Sequence, residues 1–388
     1  MLDTKGGREM AVELQYLYKE IRPEYEVKLH TTSCFGRKIS WIHMVEGSEH
    51  AKFLYGDELV FNSGLNFKSE EWLEEFLSAM DQAGAGGVIM ALEEGKMFSP
   101  KVIEWCNERK LPLFSASANT PYIDIMRKFS EILLKNEQRE TNLIAALKNA
   151  IFYPENEELY MNHLERNGFP RDISYTVIIL SCHTYDTEKG NEILDAIQKT
   201  LHFRLKKTIV YEEEGKLIIL AAGYRGDWLQ KEFYELCRED PNLYIGAGTT
   251  VSRMKDIHRS YENAYTAYQL TKTTISTNFL VYDKLGIYKI LTDIKDPGIY
   301  PDFVQEVLGR LMEYDKQHGT EYIKILKAYF ENDCSTICTA KTLYCHKNTL
   351  TYKLNKIKEV LGYDILSNEN RVRIMVAFYI LQLGTGDF

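Results

Sequence analysis

The sequence has no run of 18 apolar residues, so it offers no helix built to cross a bilayer. Its first twenty residues, MLDTKGGREMAVELQYLYKE, lack the apolar core a secretory leader needs, and the expected location is cytoplasmic with no membrane partner. Cysteine is sparse and unpatterned: seven residues at irregular spacing fit reduced thiols better than a disulfide framework. Low-complexity tracts are absent. Phosphate-cradling loops are missing too, because GAGG at 84–87 and GAG at 246–248 lack the GxGxxG spacing or a following Lys-Ser/Thr pair. Those glycines are expected at a helix-to-strand turn and a close backbone approach. The nine histidines are scattered, and no Ser-His-Asp or Cys-His-Asn grouping can be assembled. Nor is the chain basic: a formal net charge of −9 argues against a surface that is cationic all over, while allowing one local basic patch.

What is present is the composition of a soluble globular chain, 45% hydrophobic and 27% charged. At 388 residues it is too long for one ordinary core, and two or three domains are expected. Tyrosine is frequent, at 26 residues, which suits amphipathic core edges and interfaces. From about residue 25 short strands (38–46, 58–64, GGVIMAL, LPLFSAS) alternate with helices. Ser69 caps the first of these helices and Gly84 stops it, while Pro100 opens the next. That alternation predicts a partly parallel sheet with crossover helices. Residues 122–149 then form a long helix without internal Pro or Gly, a candidate dimer stem or rigid connector. A second α/β unit follows the loop at 167–172, with strands around an Glu-Gly turn in KTIVYEEEGKLIILAAG. KDPGIYPD at 295–302 carries two prolines and a glycine and is the best linker candidate.

Beyond it the chain is helical. Residues 320–332 form an amphipathic helix with Thr320 as its expected cap, and Ile323, Leu326 and Phe330 facing inward. Residues 335–344 form a short helix with Ile337, Ala340, Leu343 and Tyr344 expected on one side. A brief turn at Cys345–His346 leads into a last helix from about Lys347 to Leu361, closed by Gly362. In that helix Leu350, Leu354, Ile357 and Leu361 fall within about 60° of one another at 100° per residue. The opposite face carries Asn348, Tyr352, Asn355 and Lys356, flanked by Thr349 and Lys353. Amides, hydroxyls and ammonium groups are the types that reach base edges and phosphates. Between Cys334 and Gly362 there are five lysines (341, 347, 353, 356, 358) against one acid, Glu359, a local +4. A zinc site from Cys334, Cys338, Cys345 and His346 is disfavoured, because C-x3-C-x6-C-H matches no common structural spacing and the core claims Cys345. A helical hairpin with a solvated lysine face is the bland alternative.

The run TAKTLYCHKNTLTYKLNKIKEVLGYDI closely resembles the C-terminal helix-turn-helix of PucR/CdaR-type bacterial transcriptional regulators. His346, Asn348, Thr349, Leu350, Tyr352 and Leu354 match the family's pattern, whereas Lys347 and Lys353 stand where arginines are usual. Lysine keeps the charge but lacks the planar fork. The stretches ISWIHMVE, GDELVFNSGL, GGVIMAL and KLPLFSASANTPYIDIMRKFSEIL are similar to the family's N-terminal domain, and YIGAGTTVSRMKDIHRSYENAYTAYQL to its degenerate GGDEF-like domain.

The resemblance implies an α/β multidomain chain: a sensor domain at 1–135, a helical connector at 136–168, a degenerate GGDEF-like domain at 169–294 and an all-α helix-turn-helix domain at 302–388. It implies a regulator that binds a double-stranded DNA operator, responds to a small-molecule effector often tied to purine or ureide breakdown, and works as a homodimer or higher homo-oligomer. No catalysis, metal or cofactor is expected. Asn348, Tyr352 and Lys356 are expected in the major groove, with His346, Lys347, Thr349 and Lys353 on the phosphates. The competing class is an enzyme, a residual cyclase in the middle domain or a hydrolase in the first. A cyclase turn needs a glycine pair and acids after the first strand, where this chain has YEEEGKL and SCHTYD.

Overall fold

The computed structural model describes residues 11–22, 24–32, 36–184, 187–273, 277–296 and 298–384. The expectations resting on residues 1–10, Tyr185, Asp186 and Pro297 lie outside them. The chain divides into two compact units between Leu143 and Ile144.

In the first unit β1 (Val12–Glu13), α1 (Leu14–Ile21), β2 (Lys28–Leu29), β3 (Lys38–Ile39), β4 (Trp41–Met44), β5 (Glu58–Asn62), α2 (Glu70–Gln82), β6 (Gly87–Leu92), α3 (Pro100–Arg109) and β7 (Leu113–Ser117) precede the long α4 (Tyr122–Phe152). The main sheet has the order β2-β7-β6-β5-β4, parallel except for the antiparallel edge strand β2. Every residue of β5 and β6 is buried. Strands buried along their whole length need cover on both faces, and the helices provide it. Phe76, Met80, Val102 and Cys106 from α2 and α3 pack on one face. Leu14, Leu17 and Ile21 of α1, with Ile125, Phe129 and Leu133 of α4, pack on the other. Ser69 caps α2 as expected, and α3 opens on Pro100 with Ser99 as its cap. Between Leu133 and Ala146 no residue of α4 is buried, and the unit boundary falls in that stretch.

The second unit begins with the last residues of α4 and α5 (Met161–Arg166), then β8 (Tyr175–Cys182), α6 (Thr187–Arg204), β9 (Thr208–Glu213), β10 (Lys216–Ala222), α7 (Gly226–Glu239), β11 (Leu243–Ala247), α8 (Ile257–Thr271) and β12 (Phe279–Val281). The sheet order β12-β11-β8-β10-β9, with a β-α-β-β-α-β core, is ferredoxin-like with one added strand. Glu214 and Gly215, both at positive φ, make the tight β9–β10 turn that a hairpin prefers. The GAG glycines belong to packing: a Cβ on Gly246 would lie 2.2 Å from the Tyr268 nitrogen, and one on Gly248 within 1.9 Å of the Ser260 oxygen. Only glycine lets α8 press this closely on β11.

The helices α9 (Tyr288–Leu291), α10 (Ile299–His318), α11 (Tyr322–Glu331), α12 (Thr336–Thr342), α13 (Lys347–Leu361) and α14 (Asn368–Leu383) complete the unit. Residues on both sides of the expected linker at 295–302 share one core. Ala267 and Leu270 from the end of α8, with Leu285 and Leu291, share one core with Leu308 of α10, Leu326 of α11, Leu350 of α13 and Ile374 of α14. Apolar area common to both sides of a connection resists their separation.

Candidate nucleic-acid interface

The last helices form a helix-turn-helix whose details are set by local backbone chemistry. At the start of α11 the expected cap is Thr320, but a residue of the preceding helix does the work. The Asp315 carboxylate accepts from the Tyr322 nitrogen at 2.8 Å and the Ile323 nitrogen at 2.9 Å, and the Thr320 hydroxyl donates to it at 2.5 Å. An anion there satisfies orphan N–H groups and the positive end of the helix dipole. Asp333 and Cys334 end α11 in the left-handed region, at φ 53° and 59°. The Ser335 hydroxyl oxygen then caps α12 by accepting from the Cys338 nitrogen.

The turn between α12 and α13 begins two residues earlier than the sequence suggests, at Leu343. Tyr344 sits at φ 50°, its N–H donating to the Lys341 carbonyl at 3.2 Å, while Cys345 N–H donates to the Ala340 carbonyl at 2.9 Å. This is a Schellman closure with tyrosine where glycine is usual. An L-residue held there costs about 1–2 kcal/mol. Consequently Tyr344 does not share the inner side of α12: it is 98% exposed, and Ile337 is 56% exposed. Ala340 and Thr339 are the residues α12 buries, and Cys345 packs against the core. Three of the six described non-glycine residues with positive φ lie in these two turns.

His346 caps α13, its Nδ1 accepting from the Asn348 nitrogen at 3.2 Å. That hydrogen bond commits one ring nitrogen to the fold. Leu350, Leu354, Ile357 and Leu361 are buried as their spacing predicts, and α13 packs on α10, α11 and α12. Burying four such side chains leaves the opposite face no choice but to look outward. Gly362, at φ 78°, closes the helix. The Tyr363 hydroxyl donates to the Val307 carbonyl at 2.7 Å and pins the exit to α10.

The exposed face holds His346, Lys347, Asn348, Thr349 and Tyr352, while Lys353 and Lys356 are half-buried. The five lysines divide into two groups. Lys356 pairs with Glu359 at 2.9 Å and Lys358 with Asp364 at 3.1 Å. The hydrogen bond to Glu359, reinforced by its charge, holds the Lys356 ammonium above its usual range. Lys341, Lys347 and Lys353 carry no ion pair among the described residues. The surface therefore offers three uncommitted ammonium groups beside an amide, two hydroxyls and an imidazole. Phosphate oxygens and base edges are what such a set can bind. Two residues escaped the sequence reading: Tyr344, whose exposure follows only from the turn geometry, and Lys341, counted as charge but not placed on the surface.

The middle domain's acidic turn is arranged oppositely. Glu213 pairs with Lys148 at 2.6 Å and Glu214 with Lys216 at 3.0 Å. Lys148 also lies 4.8 Å from the centre of the Tyr211 ring. The hydrogen bond and charge of Lys216 hold the Glu214 carboxyl below its usual range.

Comparison with known proteins finds three segments, one in the first unit and two in the second. Residues 27–133 match the purine catabolism regulatory protein-like family, residues 154–270 a GGDEF-like domain, and residues 322–380 the PucR C-terminal helix-turn-helix domain. The proline-responsive transcriptional activator PutR of Bacillus subtilis is 23% identical over 66% of this chain and 66% of its own. The DNA-binding transcriptional activator AdeR of the same organism is 22% identical over 61% of this chain and 58% of its own. The purine catabolism regulatory protein of B. subtilis is 27% identical over 36% of this chain and 26% of its own. The matched segments thus span two thirds or less of these relatives. All three domains are thus found in this chain, in the order that its PucR/CdaR-type resemblance implies.

Proposed function

We propose that this protein is a sequence-specific DNA-binding transcriptional regulator that responds to a small metabolite, as PutR is named for its response to proline. The observation that carries the reading is the division of α13: four apolar side chains seated in the core, and an outward face with Lys347, Asn348, Thr349 and Tyr352 open to a ligand. In this reading Asn348 and Tyr352 enter the major groove, with Lys356 at the edge of that face. His346, Lys347, Thr349 and Lys353 hold the phosphates. The protein works in the cytoplasm as a homodimer or higher homo-oligomer, presenting paired recognition helices to paired half-sites. The shared core of α8, α10 and α13 supports a route by which a change upstream re-aims those helices.

The effector is assigned to the first unit. A crevice of about 260 Å³, lined by Phe67, Ser69, Lys96, Met97 and Ser99, lies beyond the carboxyl ends of β5 and β6. Sheets with parallel strands commonly receive small ligands at that end, which supports the assignment. The protein acts by binding and not by catalysis. The acids of the β9–β10 turn being paired with Lys148 and Lys216 supports that part of the reading. Incubating the full chain with fragmented genomic DNA and sequencing what it retains tests the whole. Recovery of a shared motif is expected; retention without sequence preference across salt concentrations would sink it.

A further inference from the structure

The Tyr344 side chain makes no hydrogen bond or ring contact and joins no core cluster among the described residues. It is 98% exposed, and its backbone occupies the left-handed closure of α12, where glycine would make the same two hydrogen bonds without a Cβ penalty. Stability alone would favour its removal. Its neighbours point to the reason it is there: Lys341, three residues before it, and His346 and Lys347 just after it are all exposed. None of those two lysines is ion-paired among the described residues. The left-handed turn is what turns this ring out from the helix pair, so the strain and the exposure are one feature. A phenol beside uncommitted cations, on the rim of a face suited to polyanions, can donate to a phosphate oxygen.

We infer that Tyr344 is a phosphate anchor: its hydroxyl donates to the DNA backbone beside the bases that α13 meets, fixing how deeply that helix sits. The inference rests on the DNA-binding reading above. It adds a contact from the turn, outside the recognition helix, bought with local backbone strain. Because a neutral donor releases no condensed counterion, its contribution has a signature distinct from a lysine's.

The test uses the full chain, a DNA fragment it retains, and the variants Tyr344→Gly and Tyr344→Phe, with affinities measured at several salt concentrations. Both variants are expected to bind about ten- to a hundredfold more weakly, the scale of one lost charge-assisted hydrogen bond. The loss should be equal on preferred and unrelated sequences, with the salt slope unchanged. Tyr344→Gly should also melt at the same temperature as the parent or higher. Tight binding by Tyr344→Phe would overturn the hydrogen bond, and tight binding by Tyr344→Gly would overturn any role at the DNA. A clearly lower melting temperature for Tyr344→Gly would return the residue to the fold. If the parent retains no DNA fragment, the regulator reading falls and this inference with it. If the parent binds and both variants match it, only this inference falls.

Discussion

The β9–β10 turn of the middle domain and the α13 face of the helix-turn-helix are both dense in charge, yet they treat it in opposite ways. Around the turn each of two carboxylates has its own lysine, at 2.6 and 3.0 Å. On the helix-turn-helix, Lys341, Lys347 and Lys353 are left without an acid among the described residues. Charge that is paired at a half-exposed surface contributes little to stability and is not available to a ligand without separating the pair. Charge left unpaired stays available to a ligand without separating a pair. The sequence count of +4 around α13 therefore overstates what a partner meets, because Lys356 and Lys358 are already taken.

The harshest way to break the comparison is to remove the side of α13 that holds the other side out. Leu350 is fully buried in the shared core, and Leu350→Ala is predicted to destabilise the second unit by about 2–5 kcal/mol. Tyr352, 69% exposed on the same helix, should change stability by no more than about 0.5 kcal/mol when replaced by alanine. Amide exchange along α13 reads both: protection should fall in the first variant and persist in the second. Next comes the outward face itself. Asn348→Ala should cost about 1–3 kcal/mol of discrimination between preferred and altered sites while leaving the salt slope alone. Lys347→Ala should weaken binding to all sequences and flatten the slope of log K against log salt by about 0.9. Identical behaviour of the two variants in mobility-shift titrations would remove the distinction between base and phosphate contacts.

How much of this was legible beforehand depended on whether the cause was local. The buried stripe of α13, its Gly362 stop, the Ser69 cap and the Pro100 start of α3 could be read because helical period and cap chemistry act within four residues. The cap of α11 could not, since Asp315 reaches it across a turn from the previous helix. Ile337 and Tyr344 were placed inward by periodicity, but the left-handed closure at Tyr344 ends the helical period early and Ile337 proves exposed. Pairings were the least visible of all: Lys148 meets Glu213 65 residues away, a partnership that only the folded sheet and α4 create.

Those pairings supply the smaller predictions, which sharpen the contrast by moving one charge at a time. In Glu359→Gln the Lys356 ammonium loses its acid and becomes available, so the salt slope should steepen by up to about 0.9 if it reaches a phosphate. Lys356→Ala in the parent background should change the slope less than Lys347→Ala does. A slope unmoved by Glu359→Gln would mean that Lys356 lies off the DNA track whatever its charge state. The matching change in the middle domain is Glu213→Gln, which leaves Lys148 beside the Tyr211 ring without its carboxylate. Both partners are more than a third exposed, so the expected loss of stability is below about 1 kcal/mol and shrinks further with salt. DNA affinity should stay within twofold of the parent, because Lys148 belongs to the scaffold and not to the binding face. A large drop in affinity from Glu213→Gln would make that turn part of the signalling path, and the two charged regions would then be coupled instead of opposed.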